Sequence, residues 1–138
     1  MKIIALKGNE NSGKSHTINI VYYFLLDRGF IQVPGHFRQL GNPVFEDIID
    51  ILESNGIKVG IIGMGDYPDG PVGVANLIQE LIQKGCEIII CACTNKTGIV
   101  NSISHLPNLT FLDKTIAAGP ENFRIINVID AQRIVSLI

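Results

Sequence analysis

The chain has 138 residues, 46% of them apolar, and a formal net charge of −2. That length implies one domain with a real core, and an acidic chain with no block of Lys or Arg gives no support for binding nucleic acid or an anionic membrane. Three cysteines argue against a disulfide framework, and no apolar run approaches membrane-span length, which together suggest a reduced, cytoplasmic setting.

In chain order, "KIIAL" is a short apolar run with β-branched residues, suited to a buried strand and too short for the core of a signal peptide. The polar stretch "GNENSGKS" (8–15) follows. Next comes "HTINIVYYFLLDRG", a helix ending at Gly29. Tyr22, Tyr23, Phe24, Leu25 and Leu26 make that helix apolar nearly all round, as expected of a helix buried on more than one side, and leave room for a homodimer or another protein partner. "FIQVP" (30–34) reads as a second strand, and loop 35–42 carries His36 and Arg38.

"PVFEDIIDILESNG" reads as a helix. Asn42 is its N-cap, Pro43 its first residue, Glu46 and Asp47 lie early, and Gly56 ends it. Val44, Phe45, Ile48, Ile49 and Leu52 form its apolar face. A third strand (57–63), the loop "MGDYPDG" and a helix over 71–85 follow, with Pro71 near the start, Leu77, Ile78, Leu81 and Ile82 as the stripe, and Gly85 as the cap. "CEIIICACT" (86–94) is a fourth strand, apolar throughout, and Cys86, Cys91 and Cys93 in it read as packing rather than metal ligands. A short helix near 98–105 and a fifth strand, "NLTFLD" (108–113), come next. In the tail, "DAQRIVSLI" looks helical with Asp130 as its cap, while "FRIINVI" fits a strand or the start of the same helix.

Strands alternating with helices predict an α/β fold with a mainly parallel, five-stranded sheet. Ligands of such sheets bind beyond the carboxyl ends of the strands. The loop at 8–15 fits that rule best. Its two glycines permit unusual backbone angles, its amides and the following helix dipole favour an anion, Lys14 is placed to reach β- and γ-phosphates, and Ser15 to ligate Mg²⁺.

Gly8, Gly13, Lys14 and Ser15 resemble the Walker A motif of the P-loop NTPase superfamily. The resemblance implies a three-layer, P-loop NTPase-like sandwich. It implies nucleotide contacts from Gly8, Asn9, Glu10, Asn11, Ser12, Gly13, Lys14, Ser15 and His16. A second carboxylate at a strand end usually serves the metal. Asp66 is the first candidate, for metal and catalysis alongside Ser15 and Lys14. Asp113, after "LTFL", is the second, and Asp69 suits a turn. "TNKTG" (94–98) is similar to the Asn-Lys-x-Asp of GTPases at Asn95 and Lys96, which lends them a base-side position. Gly98 stands where the guanine-reading Asp would be, so ATP is the default and GTP stays open. Arg38 is placed either to meet a γ-phosphate or to lie solvated in its loop.

Three functions compete. The first is Mg²⁺-dependent NTP binding with weak hydrolysis, since no Glu or Gln is well placed to orient water. The second is a small-molecule kinase, which would need an arginine-rich lid that this sequence lacks. The third is a nucleotide-sensing adaptor. "IIALKGNENSGKS" and the helix ending "LLDRGF" resemble the opening of the GTP-binding adaptor of molybdopterin-guanine-dinucleotide biosynthesis.

Overall fold

A computed structural model describes residues 1–41 and 47–138. Strand β1 (Lys2–Gly8) leads through the polar loop into helix α1 (Lys14–Asp27). Short strands β2 (Ile31–Gln32) and β3 (Arg38–Gln39) follow, then β4 (Ile48–Ser54), β5 (Ile57–Ile62), α2 (Val74–Gln83), β6 (Ile88–Thr94), α3 (Thr97–Ile103) and β7 (Leu109–Asp113). A 3-10 turn, Pro120–Asn122, leads into helix α4 (Phe123–Val135), so the tail is one helix. Among these residues no helix is long and apolar enough to cross a membrane.

The fold is α/β, but the sheet is not the five-stranded, mainly parallel one expected. Its seven described strands run β2-β4-β5-β6-β1-β7, with β3 also paired to β4. β5, β6, β1 and β7 are parallel neighbours, whereas β2, β3 and β5 each meet β4 antiparallel. β1, next to the edge strand β7, is paired on both sides, Ala5 lying opposite Cys91 and Phe111.

Alternation along the strands makes two cores. Ile3 and Ala5 of β1, with Ile89, Cys91 and Cys93 of β6, face α2 and α3 through Leu77, Ile78, Leu81, Ile99 and Ile103. Ile4 and Leu6, with Ile90 and Ala92, face α1 and α4 through Ile18, Val21, Leu25, Ala131 and Ile134. Helices thus cover both faces of the sheet. The predicted glycine stops of α1 and α2 hold. Phe30 N–H donates to Leu25 O and Gly29 N–H to Leu26 O, a pattern that Cys86 and Gly85 repeat on Leu81 and Ile82.

The helix expected over 43–56 is corrected. Ile48–Ser54 is a strand, and Asn55 and Gly56 (φ 52° and 80°) turn it back into β5 as a hairpin. The Asn-Gly pair was the signal that outweighs helical spacing here. Asn42, Pro43, Val44, Phe45 and Glu46 lie outside the described residues. Asp50, fully buried in β4, accepts hydrogen bonds from Tyr22 Oη (2.8 Å), Gln32 Nε2 (2.9 Å) and the Ile51 amide (2.9 Å), which links α1, β2 and β4. Gly56→Ala should lower stability by about 1–2 kcal/mol, the cost of a side chain in left-handed backbone. A urea midpoint that falls with unchanged slope would check it, and an unmoved midpoint would contradict the turn.

Candidate functional site

The loop is shaped by local necessity. Gly8 lies so close to β7's end that an added Cβ would come 2.8 Å from Lys114 Cβ and 3.0 Å from Ser12 Oγ. Asn11 (φ 56°) and Gly13 (φ 95°) take left-handed backbone, which Asn and Gly tolerate best. Gly13 has a second reason to be glycine. A Cβ there would sit 2.6 Å from Asn127 Oδ1 and 3.0 Å from the Phe123 ring, so α4 packs directly behind the turn. Gly13 offers no side-chain cap to α1, whose first backbone bond runs from Thr17 N–H to Gly13 O. The amides of the first turn therefore point out of the helix with its positive dipole end behind them, a setting that favours an anion.

Lys14 is only 6% exposed. Its ammonium donates to the Asn9 carbonyl at 2.6 Å, and among the described residues it makes no ion pair. Burial holds its pKa below the ordinary value, partly opposed by the negative charge of Asp66.

Ser15 Oγ lies 2.8 Å from both Asp47 Oδ1 and the Gly63 carbonyl, so its one proton has two acceptors. Asp66 accepts from Thr94 Oγ1 at 2.6 Å. Gly65 makes that placement feasible. Its carbonyl takes the Thr94 amide at 2.9 Å, and a Cβ would collide with the Ala92 carbonyl at 1.9 Å, so only glycine lets this segment cross the end of β6.

These residues line one polar cleft of about 610 Å³. Glu10, Asn11, Ser12, Gly13, Lys14, Ser15 and His16 line it from the loop and α1, and Asp47, Asp66, Tyr67, Lys96 and Phe123 line the rest. His16 stacks edge-on against Phe123, ring centroids 5.6 Å apart. Glu10 and Lys96, both on the lining, form an ion pair. Ser12 Oγ and Asn127 Oδ1 are buried with no hydrogen-bond partner among the described residues.

Of the residues expected at the site, Gly8, Asn9 and Asn95 shape the loop without lining the cleft. The Asn9 carbonyl holds Lys14, and Asn95 N–H donates to the Gly8 carbonyl at 2.8 Å. Asp113 is exposed beside Lys7 (3.8 Å) and does not line the cleft. Arg38 is exposed, as the solvated alternative expected, and does not line the cleft. It lies on β3 and grips Glu80 of α2 with two bonds of 2.7 and 2.8 Å, which, with Lys84, hold that carboxyl down to about 2. All three cysteines are free and buried, and burial pushes the Cys86 and Cys93 thiols up to about 11. Asp130 does not cap a helix. It lies inside α4, fully buried, paired with Lys114.

Sequence reasoning missed Asp47, Thr94, Tyr67, Phe123 and Asn127. Asp47 had been placed in the first turn of a helix, and its approach to Ser15 depends on the β4 hairpin. Among the described residues no group of three His, Cys, Asp or Glu is placed to hold a metal ion by itself. Comparison with protein-family models, curated proteins and solved structures gives no match to this chain.

Proposed function

We propose that the chain is a P-loop protein that binds a nucleoside triphosphate with Mg²⁺ at residues 8–15, ATP by default with GTP open, and hydrolyses it slowly. The observation that carries this reading is Lys14. A buried ammonium with no carboxylate partner among the described residues, at the uncapped start of a helix and on the wall of a polar cleft, costs stability without evident structural return. An anionic ligand supplies the missing counter-charge.

The oxygen donors fit a magnesium ion. Mg²⁺ takes one or two protein oxygens and completes its shell with phosphate oxygens and water. Ser15 and Asp47 offer such oxygens, with Asp66 on the same cleft. Bound there, the ion would offset charge on the β- and γ-phosphates. Lys14 and the first-turn amides of α1 would hold the same oxygens.

The cleft carboxylates already have partners: Glu10 holds Lys96, Asp47 is 2.8 Å from the Ser15 hydroxyl, and Asp66 accepts from Thr94. A base free to orient water is therefore lacking among these three, which favours slow turnover and keeps the adaptor reading as the second one. The experiment is a calorimetric titration of ATP, GTP, ADP and GDP with Mg²⁺, run beside a phosphate-release assay. Binding at micromolar Kd with slow release supports the first reading, and binding with none supports the adaptor. No binding of any of the four would end both.

The metal assignment has its own test. Asp47→Asn should weaken Mg²⁺-dependent binding by roughly tenfold and leave metal-free binding nearly unchanged. Asp66→Asn should act in the same direction. If either loses both kinds of binding equally, that residue leaves the metal shell.

A further inference from the structure

We infer that Lys96 is a second phosphate-binding cation held in reserve by Glu10, and that this pair makes the cleft prefer a nucleoside triphosphate to the diphosphate. The inference rests on the nucleotide reading and deepens it.

Two loops from neighbouring strands are joined at both root and tip. At the root, Asn95 N–H donates to the carbonyl of Gly8, the last residue of β1. At the tip, the Lys96 ammonium pairs with the Glu10 carboxylate. Both side chains line the cleft that Lys14 enters. The charges also interact across it: Glu10 acts on Lys14, and Asp66 acts on Lys96. Lys96 thus reaches the tip of the phosphate loop.

An acid at position 10 is out of keeping with a loop built to collect an anion, because it repels the ligand. Its pairing with Lys96 removes most of that repulsion. The bond from Lys96 also holds the Glu10 carboxyl below its ordinary range, so the pair stays charged at neutral pH. Exposed ion pairs are weak, and a phosphate with several oxygens is a stronger acceptor than one carboxylate. A terminal phosphate entering the cleft would take Lys96 from Glu10. A diphosphate, one phosphate shorter, would leave the pair closed.

The test titrates a non-hydrolysable ATP analogue and ADP, each with Mg²⁺, into the wild type, Lys96→Ala, Lys96→Arg, Glu10→Gln and Lys14→Ala. Lys96→Ala should weaken the triphosphate about tenfold and the diphosphate by no more than about twofold. Lys96→Arg should restore the preference, and Glu10→Gln should tighten the triphosphate. All the exchanged side chains at 10 and 96 are exposed, so folding is not at stake. A triphosphate-to-diphosphate ratio unchanged in Lys96→Ala, with Lys14→Ala still losing binding, overturns this inference alone. A wild type that binds neither nucleotide overturns it together with the function it rests on.

Discussion

Lys14→Met should bind Mg²⁺-nucleotide weaker by about 1.5–3 kcal/mol, the scale of a charged hydrogen bond, and should unfold at a higher temperature than the wild type. Binding falls because the ammonium is lost from a wall of the cleft. Stability rises because that ammonium is buried in the free protein and bonded to one carbonyl. Methionine fills the same space without a charge to desolvate. The sign follows from linkage. Burial puts the folded-state pKa of Lys14 below its ordinary 10.5. Between those two values the unfolded chain binds more protons, so wild-type stability from this group rises as pH climbs toward 10.5. At neutral pH the group is charged in both states and the penalty is fully present. The variant should lack that alkaline gain. Thermal melts of both proteins from pH 7 to 10.5, with nucleotide titration at pH 7.5, measure both halves. Unchanged affinity would remove the lysine from the site, and a lower melting temperature would show that it is structural.

Asp130→Ala should destabilise the fold by about 3–5 kcal/mol, the range for breaking a buried ion pair from one side. The carboxylate is fully buried and 2.9 Å from the equally buried Lys114 ammonium. It also accepts from Thr115 N–H (2.8 Å) and Thr115 Oγ1 (2.7 Å), and Arg133 reaches it at 2.8 Å. Removing it leaves the buried Lys114 ammonium with the Thr115 carbonyl (3.1 Å) and without its carboxylate. Lys114→Met with Asp130→Leu should recover a large part of the loss, because apolar pairs of similar volume replace buried ion pairs at little cost. Burial alone would raise the Asp130 pKa, but hydrogen bonds from Thr115, Lys114 and Arg133 outweigh it and keep it below the ordinary 3.8. Its contribution is therefore complete above that value and is lost as pH falls through the folded-state pKa. Urea melts at pH 7 and pH 3 should show the wild type losing more on acidification than the double variant. Equal losses would exclude Asp130 as the acid-sensitive group.

The elements that position the cleft were legible where one local rule was sufficient. The apolar run before Gly8, the helix after Gly13 and the glycine stops at Gly29 and Gly85 all stand where short-range chemistry puts them. The segment 48–54 was misread because two rules conflict there. Its apolar residues suit one helix face, and Asp50 looks like a residue of the opposite, solvated face. In the structure Ile48, Ile49, Asp50, Ile51 and Leu52 are all buried, as in a strand covered on both sides. Asp50 can lie there only because Tyr22 and Gln32, distant in sequence, supply donors. No periodicity within the segment encodes that. The same holds for the site. Lys14 and Ser15 are visible in a motif of eight residues, whereas Asp47, Thr94 and Asn127 reach the loop through sheet order and helix packing, which adjacent residues do not specify.

The position of β1 bears on how this molecule is made. It precedes both β6 and β7 in the chain, yet it lies between them, and the turn that follows it is backed by Phe123 and Asn127 of α4. Emerging from a ribosome, the turn at Gly13 lacks its backing until residues over a hundred positions later have been synthesised. Until β6 and β7 are made, "KIIAL" has no partner strand, and the turn at Gly13 gains its backing only when α4 docks.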